Sequence, residues 1–224
     1  MIVAVAGEKG GCGKTSFAVH LSGWRVCAGR DVMLVDADRQ GSASLWVESR
    51  LQQELPAPST VRQFDRGLRR AIRDLSRRYD DVVVDIGSGD GAAIEAVMRV
   101  SQCVVVPVQP NGMDVWTIDL LDELASEALD LNDNLRAFSV INRASTHHAN
   151  RDVIAAQEAL RKFQEVEHSE VVIHERSSIR RAVPAGLLVN EYRPVDTKGI
   201  AELQAVFQLV FGDTPPSTTH SCGG

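Results

Sequence analysis

The sequence predicts a single α/β domain in which a doubly wound, mostly parallel sheet carries helices on both faces. Its length of 224 residues suits one sizeable domain of this kind. Short, nearly continuous Val/Ile runs are typical of strands buried on both faces of a parallel sheet. Segments long enough for crossover helices separate these runs. We assign residues 1–212 to this domain. Residues 213–224, which contain Pro, Ser, Thr and Gly, are expected to form a disordered tail.

Strands and helices alternate along the chain in this interpretation. The predicted strands are Ile2–Ala6, Val32–Val35, Val82–Val84, Val104–Val108, Phe138–Ile141 and Val171–Ile173. The predicted helices are Thr15–Ala28, Asp65–Arg78, Ala92–Val100, Asp114–Leu129 and Arg151–Phe163. Gly29 follows the first helix, where a C-cap glycine belongs. The stretch Leu51–Thr60, which contains two prolines, is interpreted as a loop or a break between helices.

Composition and charge limit the classes of function. Hydrophobic residues make up 44% of the chain, and no apolar stretch approaches the roughly 20 residues that a membrane span needs. The net charge of −6 means that any binding to nucleic acid must use a local basic surface. The four cysteines are widely spaced, without a CxxC pair, which favours a reduced, cytoplasmic protein.

The strongest motif is a glycine-rich loop between the first predicted strand and the first predicted helix. Its glycines at positions 10, 11 and 13 let the backbone N–H groups converge on one concavity, beside the positive end of the helix dipole. Lys14 would reach the β- and γ-phosphates of a nucleotide, and the Thr15 hydroxyl would bind magnesium. Glu8 stands where the general P-loop pattern has glycine.

The segment from Lys9 to Thr15, KGGCGKT, resembles the deviant Walker A motif of the ParA/MinD superfamily. The resemblance extends from residue 1 to about residue 212. It implies a P-loop NTPase fold and binding of ATP with Mg²⁺. It also implies an ATP-bound homodimer in which Lys9 reaches the phosphates of the partner's nucleotide and acts as an arginine finger does. The nucleotide-binding residues would be Gly10, Gly11, Cys12, Gly13, Lys14, Thr15 and Ser16.

Two predicted strands end in aspartates. Asp36 and Asp38 follow the second strand, and alternate residues of an extended chain point to the same side. Carried over by resemblance, Asp38 activates or positions the hydrolytic water and Asp36 supports the magnesium shell. Arg39 replaces the proline of the family motif, which leaves the conformation of this loop open. Asp85 ends another apolar strand in the Walker B pattern and would hold magnesium, through a water that this ion retains.

Asn142 ends a later strand, where relatives of this superfamily contact the adenine base with an asparagine. We expect Asn142 to make the same contact. The alternative is that Asn142 only caps its strand.

Two groups of arginines are candidates for binding DNA. The first, at Arg66, Arg69, Arg70, Arg73 and Arg77, falls on one face of a predicted helix, with apolar residues opposite. The second consists of Arg176, Arg180 and Arg181. Either group could contact phosphates, which would make binding strongly salt-dependent. A solvated helix face is the alternative for the first group.

The resemblance implies an ATPase for DNA partition, cytoplasmic and associated with the nucleoid, and slow without a partner. ATP would drive dimerisation and non-specific DNA binding, and a centromere-binding or similar adaptor would stimulate hydrolysis. A related ATPase that assists conjugative DNA transfer fits almost as well. A membrane-switch ATPase of the MinD type would need a basic amphipathic C-terminal helix, which 200–211 lacks, so no membrane partner is expected. An iron–sulfur relative would need a second suitably placed cysteine.

Overall fold

A computed structural model describes residues 1–64, 67–111, 117–146 and 151–213. These residues form a seven-stranded sheet of order β3-β2-β4-β1-β5-β6-β7 in which every neighbouring pair is parallel. The strands are β1 (Ile2–Val5), β2 (Val32–Ala37), β3 (Ser59–Arg62), β4 (Asp81–Ile86), β5 (Cys103–Val108), β6 (Arg136–Ala144) and β7 (Val166–His174). The predicted fold class, a parallel α/β sheet, is therefore confirmed.

The helices lie on both faces of this sheet. They are α1 (Lys14–Cys27), α2 (Ser42–Gln52), α3 (Leu68–Leu75), α4 (Gly91–Met98), α5 (Ile118–Leu129), α6 (Arg151–Leu160), α7 (Ser177–Ala182) and α8 (Thr197–Phe211). A short 3₁₀ turn, Val183–Ala185, follows α7. Within the described ranges, no helix is long and apolar enough to cross a bilayer.

Alternation of side chains along the central strands divides the core into two clusters. In β4, Val82, Val84 and Ile86 pack into one cluster, whereas Val83 packs into the other with Phe17 of α1. Strands β1, β2, β4 and β5 are buried along their whole length. Their near-continuous apolar sequence follows from this, because each strand needs an apolar side chain on both faces.

The structure corrects several element boundaries. The prediction that Leu51–Thr60 is a loop is wrong at its ends: α2 continues to Gln52, and β3 begins at Ser59. The predicted helix Asp65–Arg78 is shorter, from Leu68 to Leu75, and the short predicted strand near Val171 extends from Val166 to His174. Arg66 lies outside the described residues, as does the predicted tail beyond residue 213.

The strand order brings the predicted site residues to one edge of the sheet. Because β4 lies between β1 and β2, the segments that follow these three strands meet at the carboxyl edge of the sheet. Such an edge is where open α/β sheets bind their ligands. The register places Asp36 of β2 directly beside Asp85 of β4, and Val5 of β1 on the other side of Asp85.

Candidate functional site

The phosphate loop occupies residues 7–13, between β1 and α1. Gly11 and Gly13 have φ angles of 76° and 104°, in the region that favours glycine. A Cβ at Gly13 would lie 2.2 Å from the Asn142 side-chain nitrogen, so this position has no room for a side chain. The loop therefore depends on glycine for both its backbone angles and its packing.

Lys14 is held inside this loop. Its side chain is buried, and Nζ donates to the carbonyl of Lys9 at 2.7 Å and to the hydroxyl of Ser88 at 2.8 Å. Lys14 is also the first residue of α1, so its ammonium group and the amino end of that helix lie at the same place. A positive charge beside helix N–H groups is an arrangement that binds phosphate. Sequence reasoning missed Ser88, although the glycines on either side of it were a usable signal.

Asp36 organises the turn of residues 38–41, which joins β2 to α2. Its buried carboxylate accepts the N–H of Asp38 at 3.2 Å and the N–H of Ser44, in the first turn of α2, at 2.8 Å. Both oxygens are therefore used by the backbone. This gives Asp36 a structural role that its sequence pattern did not indicate, while its predicted support of magnesium stays a prediction.

Asp38 lies at the start of the same turn and is partly exposed. Its Oδ1 accepts the N–H of Gln40 at 2.8 Å. Gly87 packs against it, so that a Cβ at Gly87 would be 3.4 Å from the Asp38 carboxyl carbon. The end of β4 and the 38–41 turn therefore approach each other closely at the carboxyl edge of the sheet.

Asp85 is the buried acid at the centre of the site. Among the described residues, neither of its carboxylate oxygens has a hydrogen-bond partner at ordinary distance and angle, although the Thr15 hydroxyl lies close enough to favour the charged carboxylate. Burial raises the pKa of this carboxyl to about 7, with Asp36 and Asp38 adding to the shift and the Thr15 hydroxyl and Lys14 opposing it. An unpaired buried carboxylate beside a threonine hydroxyl suits a hard cation with oxygen ligands. Thr15 and Asp85 therefore fit the predicted magnesium.

Asn142, near the end of β6, and the end of β7 line one side of the site. The side-chain nitrogen of Asn142 donates to the carbonyl of Cys12 at 2.6 Å, so this residue braces the phosphate loop. The predicted contact with adenine stays a prediction. A narrow crevice beside Asn142 is lined by residues of α1, of the end of β7, of the segment that follows β7 and of α7, among them Ser16, Phe17, His174, Glu175 and Arg180.

Arg176 differs from the other arginines that were predicted to contact DNA. Its guanidinium donates to both carboxylate oxygens of Glu202, at 2.9 and 2.6 Å, and lies 3.6 Å from Asp196. Its side chain is mostly buried. These contacts join α7 to α8, so Arg176 serves the fold here, whereas Arg180 and Arg181 are exposed on α7.

The arginines of α3 face the solvent. Leu68 and Ile72 are buried, while Arg69, Arg70 and Arg73 are exposed, as the helical periodicity predicts. Arg77 follows the end of the helix and is exposed as well. Asp74 lies 3.9 Å from the Arg70 guanidinium and 3.6 Å from that of Arg77. Pairs this exposed contribute little to stability, so Arg70 and Arg77 can leave Asp74 at small cost.

A cavity of about 810 Å³ lies between α5 and α6. Its lining includes Asp119 and Asp122 of α5 and Asp152 of α6, and none of the predicted site residues. The converging phosphate loop, Asp38 and Asp85 carry a stronger chemical argument than this volume, because they bring cationic, acidic and backbone N–H groups together at one sheet edge.

Comparison with known proteins agrees with this geometry. Residues 3–197 match the family described as the CobQ/CobB/MinD/ParA nucleotide binding domain. A maintenance of carboxysome distribution protein A from Halothiobacillus neapolitanus is 30% identical over 150 residues, which cover 66% of this chain and 68% of the relative. The chromosome partitioning protein ParA of Myxococcus xanthus is 24% identical over 96% of this chain and 90% of the relative.

Among solved structures, an ATP complex of a variant of Cyanothece McdA superimposes with a TM-score of 0.75. It covers 96% of this chain and 98% of that chain at 14% identity, so it supports the fold alone. The phosphate loop, the acids at the ends of β2 and β4, and the family match over most of the chain lead to one assignment. The chain belongs to the CobQ/CobB/MinD/ParA family and is a nucleotide-binding protein of the ParA/MinD type.

Proposed function

We propose that this chain is a ParA-type ATPase that distributes a cargo, such as a DNA molecule, by switching between nucleotide states. The observation that carries this proposal is the position of Lys14, buried between the Lys9 carbonyl and the Ser88 hydroxyl at the amino end of α1. The reaction is hydrolysis of ATP to ADP and phosphate. The named roles of the relatives, in carboxysome distribution and chromosome partitioning, support a distributing function.

Each residue of the site has a part in this reaction. Lys14 and the N–H groups of the phosphate loop bind the phosphates, and Asp38 orients the attacking water. Thr15 and Asp85 would hold magnesium, which supplies charge neutralisation for the leaving phosphates. Lys9 would complete the site of a second copy, where its charge opposes the charge that develops on the transferred phosphoryl group.

The α3 surface, formed by Arg69, Arg70 and Arg73, is our proposed contact for DNA. Arg70 has a side chain that is 91% exposed, and so it can reach a phosphate without breaking a buried contact. Arg176 would first have to leave Glu202. Dimerisation would place two such surfaces on one assembly and so make DNA binding depend on ATP.

The nucleotide switch is tested by DNA binding. With ATP and magnesium, the protein is expected to bind unrelated DNA fragments in a salt-sensitive way, and with ADP it is not. Lys14→Ala should abolish this binding. Equal binding by Lys14→Ala in the presence of ATP would contradict a nucleotide switch.

The choice of surface is tested by a pair of charge-removing variants. A triple variant of Arg69, Arg70 and Arg73 to Ala should lose DNA binding and keep ATP hydrolysis without DNA. A double variant of Arg180 and Arg181 to Ala serves as its matched comparison. Loss of DNA binding only in the double variant would move the DNA contact to α7.

The role of Lys9 is tested separately. Lys9→Gln should impair hydrolysis and leave nucleotide affinity near normal, because Lys9 acts on the partner's nucleotide. Complete loss of nucleotide binding would instead make Lys9 a ligand within its own subunit.

A further inference from the structure

The 38–41 turn fixes the direction of the Asp38 carboxylate. Gly41 donates its N–H to the Asp38 carbonyl at 3.1 Å, and Gln40 donates to the Asp38 carboxylate at 2.8 Å. Gly41 has a φ angle of 71°, which closes the turn before α2 begins. Any group that holds this turn therefore also holds the carboxylate.

Arg62 lies against the outer side of the turn. It is the last residue of β3 and is paired with Asp36 in the register between β2 and β3. Its Nη2 donates to the Arg39 carbonyl, in the middle of the turn, at 2.9 Å. A Cβ at Gly41 would lie 3.1 Å from the Arg62 guanidinium carbon, so the guanidinium covers Gly41 closely.

The Phe64 ring contacts two arginines of this region, Arg39 in the turn and Arg62 beside it. The guanidinium of Arg39 lies 5.0 Å from the centroid of the Phe64 ring, and that of Arg62 lies 5.7 Å from it. Both distances are within the range of a cation–π contact. Across the ranges that the structure describes, no ion pair involves Arg39 or Arg62. Their charges are therefore not engaged by a carboxylate there, and the aromatic ring and the turn carbonyl set their positions.

We propose that Arg62 is a positioning residue for Asp38, which it orients by clamping the 38–41 turn. The proposal rests on the proposed function, in which Asp38 orients the attacking water. Arg62 does not touch the nucleotide in this proposal. Its loss should therefore slow the chemical step and leave nucleotide binding intact, because misplacing a catalytic group costs rate more than affinity.

The experiment compares kcat, KM and the ATP dissociation constant of full-length variants, measured by phosphate release and by titration with a fluorescent ATP analogue. Arg62→Ala should lower kcat about tenfold and change the dissociation constant less than about twofold. Arg62→Lys should recover part of kcat, because an ammonium group can keep the bond to the Arg39 carbonyl. The matched control is Arg136→Ala, which removes an arginine that stacks on Phe138 at 4.8 Å, at the start of β6. It should keep the wild-type kcat.

A double variant shows whether Arg62 acts through Asp38. Asp38→Asn should reduce kcat on its own, and adding Arg62→Ala should reduce it no further. A merely destabilising effect of Arg62→Ala would instead multiply with that of Asp38→Asn. If Arg62→Ala does not fold, Arg62→Lys and Phe64→Ala decide in its place, since each should lower kcat at unchanged ATP affinity.

Two results would overturn the clamp proposal: an unchanged kcat in the Arg62 variants, or multiplying losses in the double variant. A different result refutes the proposed function itself. If Asp38→Asn hydrolyses ATP as fast as the wild type, Asp38 does not orient the water, and the clamp has no catalytic consequence.

Discussion

Mild acid is expected to destabilise this fold through His20. This histidine is buried in α1, the helix that follows the phosphate loop. Its Nδ1 donates to the Ser16 carbonyl at 2.6 Å, and its Nε2 accepts the N–H of Val189 at 2.9 Å. A proton on Nε2 would meet that N–H. Burial, the largest cause, lowers the pKa of His20 from 6.5 to about 4.

The sign and size of the effect follow from this shift. Because the folded-state pKa lies below the unfolded value, the unfolded chain takes up the proton first as the pH falls. The stability contributed by neutral His20 is therefore complete above about pH 6.5 and is lost progressively towards pH 4. Between pH 7 and pH 5 the linkage relation gives a loss of about 2 kcal/mol in the free energy of unfolding.

The assay is urea unfolding at pH 7, 6 and 5, followed by tryptophan fluorescence. His20→Gln should lower stability at pH 7 and flatten the pH dependence by about 2 kcal/mol relative to the wild type. Phe207→Leu is the matched control, since it weakens the packing on Trp24, where the rings are 5.9 Å apart, without changing a titratable group. It should keep the wild-type slope. Parallel curves for the wild type and His20→Gln would refute the reasoning.

Three further predictions concern buried contacts, and Gly29→Ala is the control for the second of them. Arg50→Ala should lower the free energy of unfolding in urea by about 3–5 kcal/mol, because Glu191 would lose hydrogen bonds of 2.6 and 3.0 Å. The double variant Arg50→Met with Glu191→Leu should recover most of this loss. Equal losses in the single and the double variant would contradict the pairing argument. Gly13→Ala should abolish binding of a fluorescent ATP analogue, because its Cβ would strike Asn142 at 2.2 Å. Gly29→Ala, with open space around it, should cost roughly 1 kcal/mol of stability and leave binding unchanged. Asn142→Ala should weaken binding of the same ATP analogue about tenfold. Unchanged affinity would show that the hydrogen bond from Asn142 to the Cys12 carbonyl is dispensable.

The parts of the site that lie in contiguous motifs could be predicted from the sequence. Lys14 and Thr15 follow the glycines at a fixed spacing, and Asp85 ends an apolar run, so chain geometry alone places them at the edge of a parallel sheet. The confirmed fold class has the same origin. It was predicted from apolar strand segments that alternate with helical segments along the chain, a pattern that does not depend on any single contact.

The parts that depend on distant partners could not be predicted. β3 follows two prolines, is only partly buried, and lies at the edge of the sheet formed by the described residues, so no apolar run marks it. Asn142 bonds to Cys12, which is 130 residues away in sequence, and Arg176 finds Glu202 across 26 residues. These contacts hold the phosphate loop and the start of α7 in place, and no local sequence pattern encodes them.

The position of β4 between β1 and β2 has a consequence for how this family can vary. Adding one residue within β4 would bring Val84 to the place of Asp85, and removing one would bring Ile86 there, because successive side chains of a strand face opposite sides. Either change would turn Asp85 away from Thr15. The same slip would exchange the two core clusters that β4 supplies. Valine and isoleucine can replace each other in this strand at modest cost, but its length is as constrained as the acid at its end. Insertions and deletions should therefore be confined to the loops outside the sheet.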